Sequence, residues 1–170
     1  MDVNLVDTLP PNRLVTKLRP FVHAFLSQAI EFDLAIYTLG NQDYALRMVK
    51  LLDEGNEQMF YGRVISCGDS TIDLMKSLDI VLCKDSTVVN LDDRKEVWLN
   101  DYQDNMIVMP PYNFFRSTSQ QQNKSLSELK VDEDEQFGRA HLSKTLRLLK
   151  SIHIEFFCGK GQEIMERDVR

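Results

Sequence analysis

The stretch that decides the fold is STVVNLDDRKEVW, at residues 86–98, in which an apolar run ends on two adjacent carboxylates. Val88, Val89 and Leu91 supply the apolar residues, and Asp92 and Asp93 follow them. This pattern predicts a buried strand that carries a pair of acids to the edge of a sheet. In open α/β sheets, ligands bind beyond the carboxyl ends of strands, so these acids lie where a metal ion and a phosphate group can bind. A solvated turn after the strand is the alternative interpretation.

A second predicted strand, at residues 33–38, ends on Thr38 and is followed by Gly40 and a helical pattern. Lys76 lies between the two strands in the sequence. A hydroxyl, an acid pair and a lysine form a set suited to phosphate, because they supply a donor, metal ligands and a cation. Taken singly, the threonine is an ordinary turn residue and the lysine an ordinary solvated charge. The combination points to phosphate chemistry.

Six blocks of sequence, in this order, resemble the TFIIF-associating and small CTD phosphatases. These enzymes are a branch of the haloacid dehalogenase superfamily that acts on phosphoserine in the tail of RNA polymerase II, and the plant-type members look most similar. The blocks are TKLRPFVHAFL (16–26), AIYTLGNQDYA (35–45), FYGRVIS (60–66), MKSLDIVL (75–82), VVNLDDRKEVW (88–98) and PYNFF (111–115). The resemblance implies a Rossmann-like α/β domain at residues 14–157, with a mainly parallel sheet flanked by helices. It also implies a phosphorylated protein as partner, the polymerase tail among the candidates, and a nuclear location.

The resemblance assigns a role to each matched residue. The implied catalytic residues are Thr38, Lys76 and Asp92, the implied phosphate-binding residues are Thr38, Leu39, Gly40 and Lys76, and the implied ligand of Mg²⁺ is Asp93. The lysine would neutralise the phosphoryl group, to which the threonine and the neighbouring backbone would donate. The first acid would hold water or orient the lysine, and the second would ligate the metal.

This chain departs from the family pattern at the first motif, which is a strand that runs into Asp-x-Asp-x-Thr or Val. The motif supplies the nucleophile and the general acid, and it should lie well upstream of Lys17, which only sixteen residues precede. Asp2-Val3-Asn4 and Asp7 are poor substitutes, so no residue is assigned as nucleophile. The opening segment is the tail of a connecting loop, a degenerate replacement strand or a working nucleophile strand. We expect the first, with the central strand missing from a truncated product.

Composition limits the classes of function. The chain has 170 residues and is 43% hydrophobic, which suits one core. A net charge of -6 with scattered basic residues argues against direct binding of nucleic acid. Three cysteines without Cys-x-x-Cys spacing indicate neither a disulfide framework nor a zinc site. No signal peptide and no long apolar run is visible, so the sequence predicts no membrane segment.

The remaining pattern alternates helix and strand, which is typical of an α/β domain. The first predicted helix begins at Pro20 and has an apolar face from Phe21 to Ile30. Further helices are predicted at 42–53, around Lys76 through Leu74, Leu78 and Ile80, and at 139–157. Strands are predicted at 33–38, 63–66, 87–92 and 105–109. Residues 117–138 are polar and acidic and predict a mobile loop, and residues 158–170 predict a tail.

Two functions of different classes follow from the sequence. One is a magnesium-dependent protein serine/threonine phosphatase, which the matched blocks favour and the missing first motif contradicts. The other is a non-catalytic relative that binds phosphopeptide or partner protein through the same cleft. A receiver-like signalling domain also carries an acid pair, a threonine and a lysine, but there the acids come first in the chain. Here Thr38 and Lys76 precede Asp92, which disfavours that class.

Overall fold

The computed structural model describes residues 16–55, 58–112, 139–158 and 169. Helices and strands are interleaved along this part of the chain. In order they are α1 (Val22–Gln28), β1 (Ile36–Tyr37), α2 (Gln42–Leu52), β2 (Val64–Ile65), β3 (Asn90–Asp92), β4 (Met106–Val108) and α3 (His141–Cys158). Short 3₁₀ helices at Asp85–Thr87, Lys95–Val97 and Asn100–Asn105 flank β3 and lead into β4.

The strands form two parallel pairs. β1 pairs with β2, and β3 pairs with β4, where Asp92 lies opposite Val108. The N–H of Thr38 donates to the carbonyl of Ile65 at 2.9 Å, which continues the first pairing by one residue. Within the described ranges, no strand of one pair is hydrogen-bonded to a strand of the other. Thr38 and Asp92 therefore stand at the ends of strands that belong to different sheets.

Two apolar clusters join the strand pairs to the helices. The buried members of the larger cluster are Phe25, Leu26, Ala29, Phe60, Met109, Leu142, Leu146 and Leu149. Ile36 of β1 and Ile107 of β4 both pack against it, so it spans both pairs. The smaller cluster consists of Leu78, Val97 and Trp98, with Tyr37 of β1 and Met106 of β4 packed against it. Burial of apolar side chains thus connects the two strand pairs.

The parallel α/β architecture confirms the predicted fold class. The predicted helices at 42–53 and 139–157 correspond closely to α2 and α3. Both carry an apolar stripe at helical spacing, which is the most dependable signal in a sequence. The start of α2 is also fixed locally, because the Asn41 side chain accepts the N–H of Tyr44 at 2.9 Å.

The predicted start of the first helix was wrong. α1 begins at Val22, and Phe21 precedes it with φ +65°, in the left-handed region. The helix ends at Gln28, so Ile30 lies beyond it and is 77% exposed instead of facing the core. The predicted strands are also longer than the observed ones, since β1 and β2 each have two residues.

The predicted helix around Lys76 was wrong as well. Lys76 has an extended backbone and forms a single parallel bridge with Trp98. Its N–H donates to the carbonyl of Val97 at 2.7 Å, and its carbonyl accepts the N–H of Leu99 at 3.1 Å. Leu74, which the helical pattern places on the buried face, has φ +59° and is 83% exposed. Long-range backbone pairing has overridden a weak local periodicity.

Several predictions concern residues outside the described ranges. The polar segment at 117–138 lies wholly outside them, as do Asp2 and Asp7. Of residues 158–170, only Cys158 and Val169 are described. Within the described ranges, no helix combines the length and the apolar character needed to cross a membrane.

Candidate functional site

The end of β1 is shaped by a tight local turn. The Oγ1 of Thr38 accepts the backbone N–H of Gly40 at 3.0 Å, and the carbonyl of Gly40 accepts the N–H of Cys67 at 3.0 Å. The Thr38 hydroxyl thus acts as an acceptor toward its own turn, and its proton can still be donated elsewhere. The N–H of Gly40, one of the predicted phosphate donors, is directed at Thr38. Leu39 packs against the cluster around Trp98.

The end of β3 is built around the carboxylate of Asp92. Its Oδ2 accepts from the Nζ of Lys76 at 2.6 Å and from the indole Nε1 of Trp98 at 2.9 Å. Its Oδ1 accepts the backbone N–H of Arg94 at 3.0 Å. The side chains of Lys76 and Asp92 are only 11% and 10% exposed. Both oxygens of this buried carboxylate are therefore engaged by donors of the protein itself.

Opposing effects act on the ionisation of Asp92. Burial disfavours its charged form, but the hydrogen bonds from Lys76 and Trp98, the charge of the lysine and the N–H of Arg94 favour it. Together these interactions hold the pKa of the Asp92 carboxyl below its ordinary value. Asp92 is accordingly ionised at neutral pH, where both of its oxygens accept hydrogen bonds.

Aromatic rings enclose the ammonium group of Lys76. The Nζ atom lies 5.3 Å from the ring centroid of Trp98 and 5.5 Å from that of Tyr37. The two rings meet edge to face at 5.5 Å, and the Tyr37 Oη accepts the N–H of Ser77 at 3.2 Å. The Asp92 carboxylate and the two ring faces each attract the Lys76 ammonium, and these attractions are stronger because the site is largely shielded from water.

A cleft of about 320 Å³ opens over the Lys76–Asp92 pair. Its lining includes Lys76, Asp92 and Asp93, and the remaining lining residues are Arg19, Leu91, Met109, Pro110, Pro111, Tyr112 and Leu142. The guanidinium of Arg19 donates to the carbonyl of Pro110 and lies 5.4 Å from the centre of the Tyr112 ring. The cleft thus combines charged groups of both signs with a wall of prolines and an aromatic ring.

The donor set for a magnesium ion is incomplete within the described ranges. Asp93 is exposed, whereas both oxygens of Asp92 already accept protein donors. No group of three potential metal-binding His, Cys, Asp or Glu side chains occurs within these ranges. Mg²⁺ prefers several oxygen ligands in near-octahedral geometry. One available carboxylate does not form such a site, so the described residues do not fit a resident Mg²⁺.

The structure brings Lys76, Asp92 and Asp93 into one cleft, which Thr38, Leu39 and Gly40 do not line in the described part of the chain. The sequence analysis missed three residues here. Two are Tyr37 and Arg19, for which the sequence gives no specific signal. The third is Trp98, to whose indole N–H the sequence assigned no acceptor, although a buried indole N–H requires one.

The fold and these side chains together define a class. A parallel α/β domain with Thr38 at one strand end and, at another, an acid pair of which Asp92 binds a buried lysine has the features of a phosphatase-like domain of the haloacid dehalogenase type. The model of the family described as NLI interacting factor-like phosphatase matches residues 4–151. The chain belongs to this family, and the resemblance stated from the sequence is confirmed.

Relatives and solved structures agree with that assignment. RNA polymerase II C-terminal domain phosphatase-like 4 of Arabidopsis thaliana is 47% identical to this chain over 162 residues. RNA polymerase II C-terminal domain phosphatase-like 3 of the same plant is 36% identical over 165 residues. The fission yeast RNA polymerase II CTD phosphatase Fcp1, solved with beryllium fluoride bound, superposes with a TM-score of 0.63 at 27% identity.

These relatives are longer than the chain. The first alignment covers 93% of this chain but 36% of the phosphatase-like 4 protein, and the second covers 91% of this chain but 13% of the phosphatase-like 3 protein. The structural superposition covers 90% of this chain and 53% of the solved one.

Proposed function

We propose that this chain is a phosphatase-like domain that binds phosphoserine-containing protein segments and does not hydrolyse them by itself. The observation that carries the proposal is the Lys76 ammonium, which is held at a cleft by Asp92 in a chain that contains no Asp-x-Asp-x-Thr sequence. A buried cation fixed beside an open cleft is suited to a phosphoryl group, and membership of a phosphatase family supports that ligand.

The proposed roles follow from the chemistry of each group. Lys76 attracts the phosphoryl oxygens and Asp92 holds the lysine in place. The Thr38 hydroxyl and the backbone N–H of Leu39 are the proposed donors from the end of β1 to a ligand that reaches beyond the cleft, and Gly40 contributes through its N–H, which donates to Thr38 Oγ1 and fixes that hydroxyl. Asp93, which the family resemblance implies as the ligand of Mg²⁺, supplies the one exposed carboxylate in the described lining of the cleft. We further propose that residues 14–157 form one domain.

Hydrolysis requires a carboxylate nucleophile, and the proposal assigns no residue to that role. A carboxylate must attack phosphorus and displace the serine oxygen, and water must then hydrolyse the aspartyl-phosphate. Magnesium is the cofactor that the family resemblance implies, but the described residues do not fit it. We therefore derive no step through a metal ion.

The proposed partner is a phosphorylated protein, with the C-terminal domain of RNA polymerase II as the first candidate. The names of the relatives support this choice, since all of them refer to phosphatases, or phosphatase-like proteins, of that domain. A partner of this kind also favours a nuclear location. The net charge of -6 favours a protein partner over direct contact with nucleic acid.

Two assays on the purified chain test the proposal. With p-nitrophenyl phosphate and Mg²⁺, turnover should not exceed a buffer blank. In calorimetry, a phosphoserine peptide with the polymerase-tail repeat should bind, the unphosphorylated peptide should not, and Lys76→Ala should weaken binding at least tenfold. Lys95→Ala removes the same charge from an exposed site outside the cleft lining and should leave binding unchanged.

Turnover that Asp93→Asn abolishes would instead establish an active enzyme. If that turnover also vanished in Asp7→Asn but survived Asp2→Asn, the opening segment would be a replacement nucleophile strand. Equal peptide binding by Lys76→Ala and the unaltered chain would refute the proposed binding site.

A further inference from the structure

Trp98 is the only tryptophan in the chain, and it is 3% exposed. A tryptophan buried to this degree would ordinarily be explained by the apolar area that it removes from water. Its indole N–H, however, points at the Oδ2 of Asp92 at 2.9 Å. The same oxygen accepts from Lys76 at 2.6 Å, so one carboxylate oxygen links the indole and the ammonium.

The face of the same ring contacts the lysine. The Nζ of Lys76 lies 5.3 Å from the Trp98 ring centroid, and Tyr37 approaches the same Nζ from another side at 5.5 Å. Lys76 also lines the cleft. An ammonium has three N–H donors, of which Asp92 takes one. Two donors therefore remain on an ammonium group whose residue lines the cleft.

The backbone reinforces this arrangement. Lys76 and Trp98 face each other in a parallel bridge with hydrogen bonds on both sides of the lysine. The two residues therefore cannot separate without breaking that bridge. Trp98 thus contacts the lysine through its ring face and the shared carboxylate, and the backbone hydrogen bonds of its neighbours Val97 and Leu99 to Lys76 hold the two residues side by side.

We infer that Trp98 is a positioning residue, whose indole N–H fixes the Asp92 carboxylate and thereby aims the Lys76 ammonium into the cleft for a phosphoryl ligand. The ligand part of this inference rests on the proposed function. The positioning part concerns only the three side chains and can be tested without a ligand.

The decisive variant is Trp98→Phe, which keeps an aromatic ring and removes the N–H. The matched control is Tyr102→Phe. Tyr102 packs against the same cluster and donates its hydroxyl to the Oδ1 of Asp79 at 2.6 Å, so this variant also removes a donor from a carboxylate but leaves Asp92 untouched. We expect Trp98→Phe to weaken binding of the phosphoserine peptide about fivefold, and Tyr102→Phe to leave it unchanged. Equal affinities for Trp98→Phe and the unaltered chain would overturn the inference.

A double-mutant cycle in urea tests positioning without ligand. Trp98→Phe and Lys76→Met, made singly and together, should be coupled by about fivefold or more in the unfolding equilibrium constant, because both act through the Asp92 oxygen. Tyr102→Phe and Lys76→Met should be additive. A tryptophan that only fills space would give additive effects in both cycles, which would refute the inference.

The peptide-binding measurement and the double-mutant cycle together distinguish a failure of the inference from a failure of the proposed function. If the unaltered chain binds no phosphoserine peptide, the proposed function fails, and the cycle alone decides the role of Trp98. If Trp98→Phe does not fold, the indole N–H resonance of the unaltered chain decides it by NMR. That single resonance should move in Asp92→Asn and stay in place in Tyr102→Phe, and an unmoved resonance in Asp92→Asn would overturn the inference.

Discussion

The two strand ends of the candidate site are held in different ways. At the end of β3, Asp92 accepts from Lys76, sixteen residues earlier in the chain, and from Trp98, six residues later. At the end of β1, Thr38 accepts from Gly40, only two residues away. The Asp92 side chain, at the acid end, is therefore fixed by buried contacts with distant side chains, whereas the Thr38 side chain, at the threonine end, is held by its own turn, on a backbone that pairs with Ile65 and Cys67. Changes at the acid end should alter stability and binding together, and changes at the threonine end should alter binding with little effect on stability.

The largest expected effect on stability comes from adding a strand that joins the two strand pairs. In the described ranges β1–β2 and β3–β4 share side-chain clusters but no strand hydrogen bonds. Fusing a family-type strand with Asp-x-Asp-x-Thr and its loop upstream of Thr16 should add buried apolar side chains at about 1.5–3 kcal/mol each. We expect the free energy of unfolding to rise by about 4 kcal/mol or more, with a sharper melting transition.

Urea denaturation and sedimentation measure this effect, with a fusion whose apolar strand residues are changed to serine as control. Unpaired strand edges also favour association, so the unfused chain should be marginally folded or oligomeric. A soluble monomer with a cooperative melt, unaffected by the fusion and with residues 3–9 unprotected in hydrogen exchange, would contradict the prediction.

The second effect tests the acid end alone. Removing one partner of a buried ion pair leaves an uncompensated charge, so Lys76→Ala and Asp92→Ala should each lower the free energy of unfolding by about 3–5 kcal/mol. Thr38→Ala should lower it by about 1 kcal/mol. Lys76→Met combined with Asp92→Leu should recover much of the loss, because it removes both charges. Equal losses in urea for the Thr38 and Asp92 variants would remove the contrast between the two ends.

The sequence predicted the parts of the site that local patterns encode. The strand that ends on Asp92, the helix after Thr38 and the amphipathic α3 each carry a periodic or capping signal within a short window. The pairing of Lys76 with Trp98 carries no such signal, because it joins residues from separate segments through backbone hydrogen bonds. For this reason the sequence suggested a helix at Lys76 and no partner for the Trp98 indole.

The third effect is the response of the acid end to pH. The pKa of Asp92 is lowered in the folded chain, so the unfolded chain binds its proton more readily. The stability that Asp92 contributes is therefore fully present above its unfolded pKa of about 3.9, and it is lost as the pH falls through the lowered folded value. Denaturation in urea at a series of pH values should show this loss below about pH 4.

Asp92→Asn cannot ionise, so the free energy of unfolding of this variant should fall less steeply below about pH 4, the acid limb of the stability curve. Asp93→Asn is the matched control, because it removes a carboxylate from the same strand end and leaves the contacts of Asp92 with Lys76 and Trp98 in place. Acid limbs of equal slope in Asp92→Asn and the unaltered chain would show that other carboxyls govern acid unfolding.

The smallest effect concerns the local turn at the threonine end. A Cβ at Gly40 would lie 2.6 Å from Cδ1 of Tyr44 and 3.2 Å from Oγ1 of Thr38. Tyr44 is 41% exposed, so its ring can move aside at a cost of about 1 kcal/mol, but the Thr38 hydroxyl must shift. Gly40→Ala should therefore weaken binding of the phosphoserine peptide about threefold in calorimetry while changing the melting temperature little. Gly68→Ala is the control, because a Cβ there meets no atom within 4 Å. If the two glycine variants bound the peptide equally well, Thr38 would not act as a donor to the phosphoryl group, and the site would consist of the acid end alone.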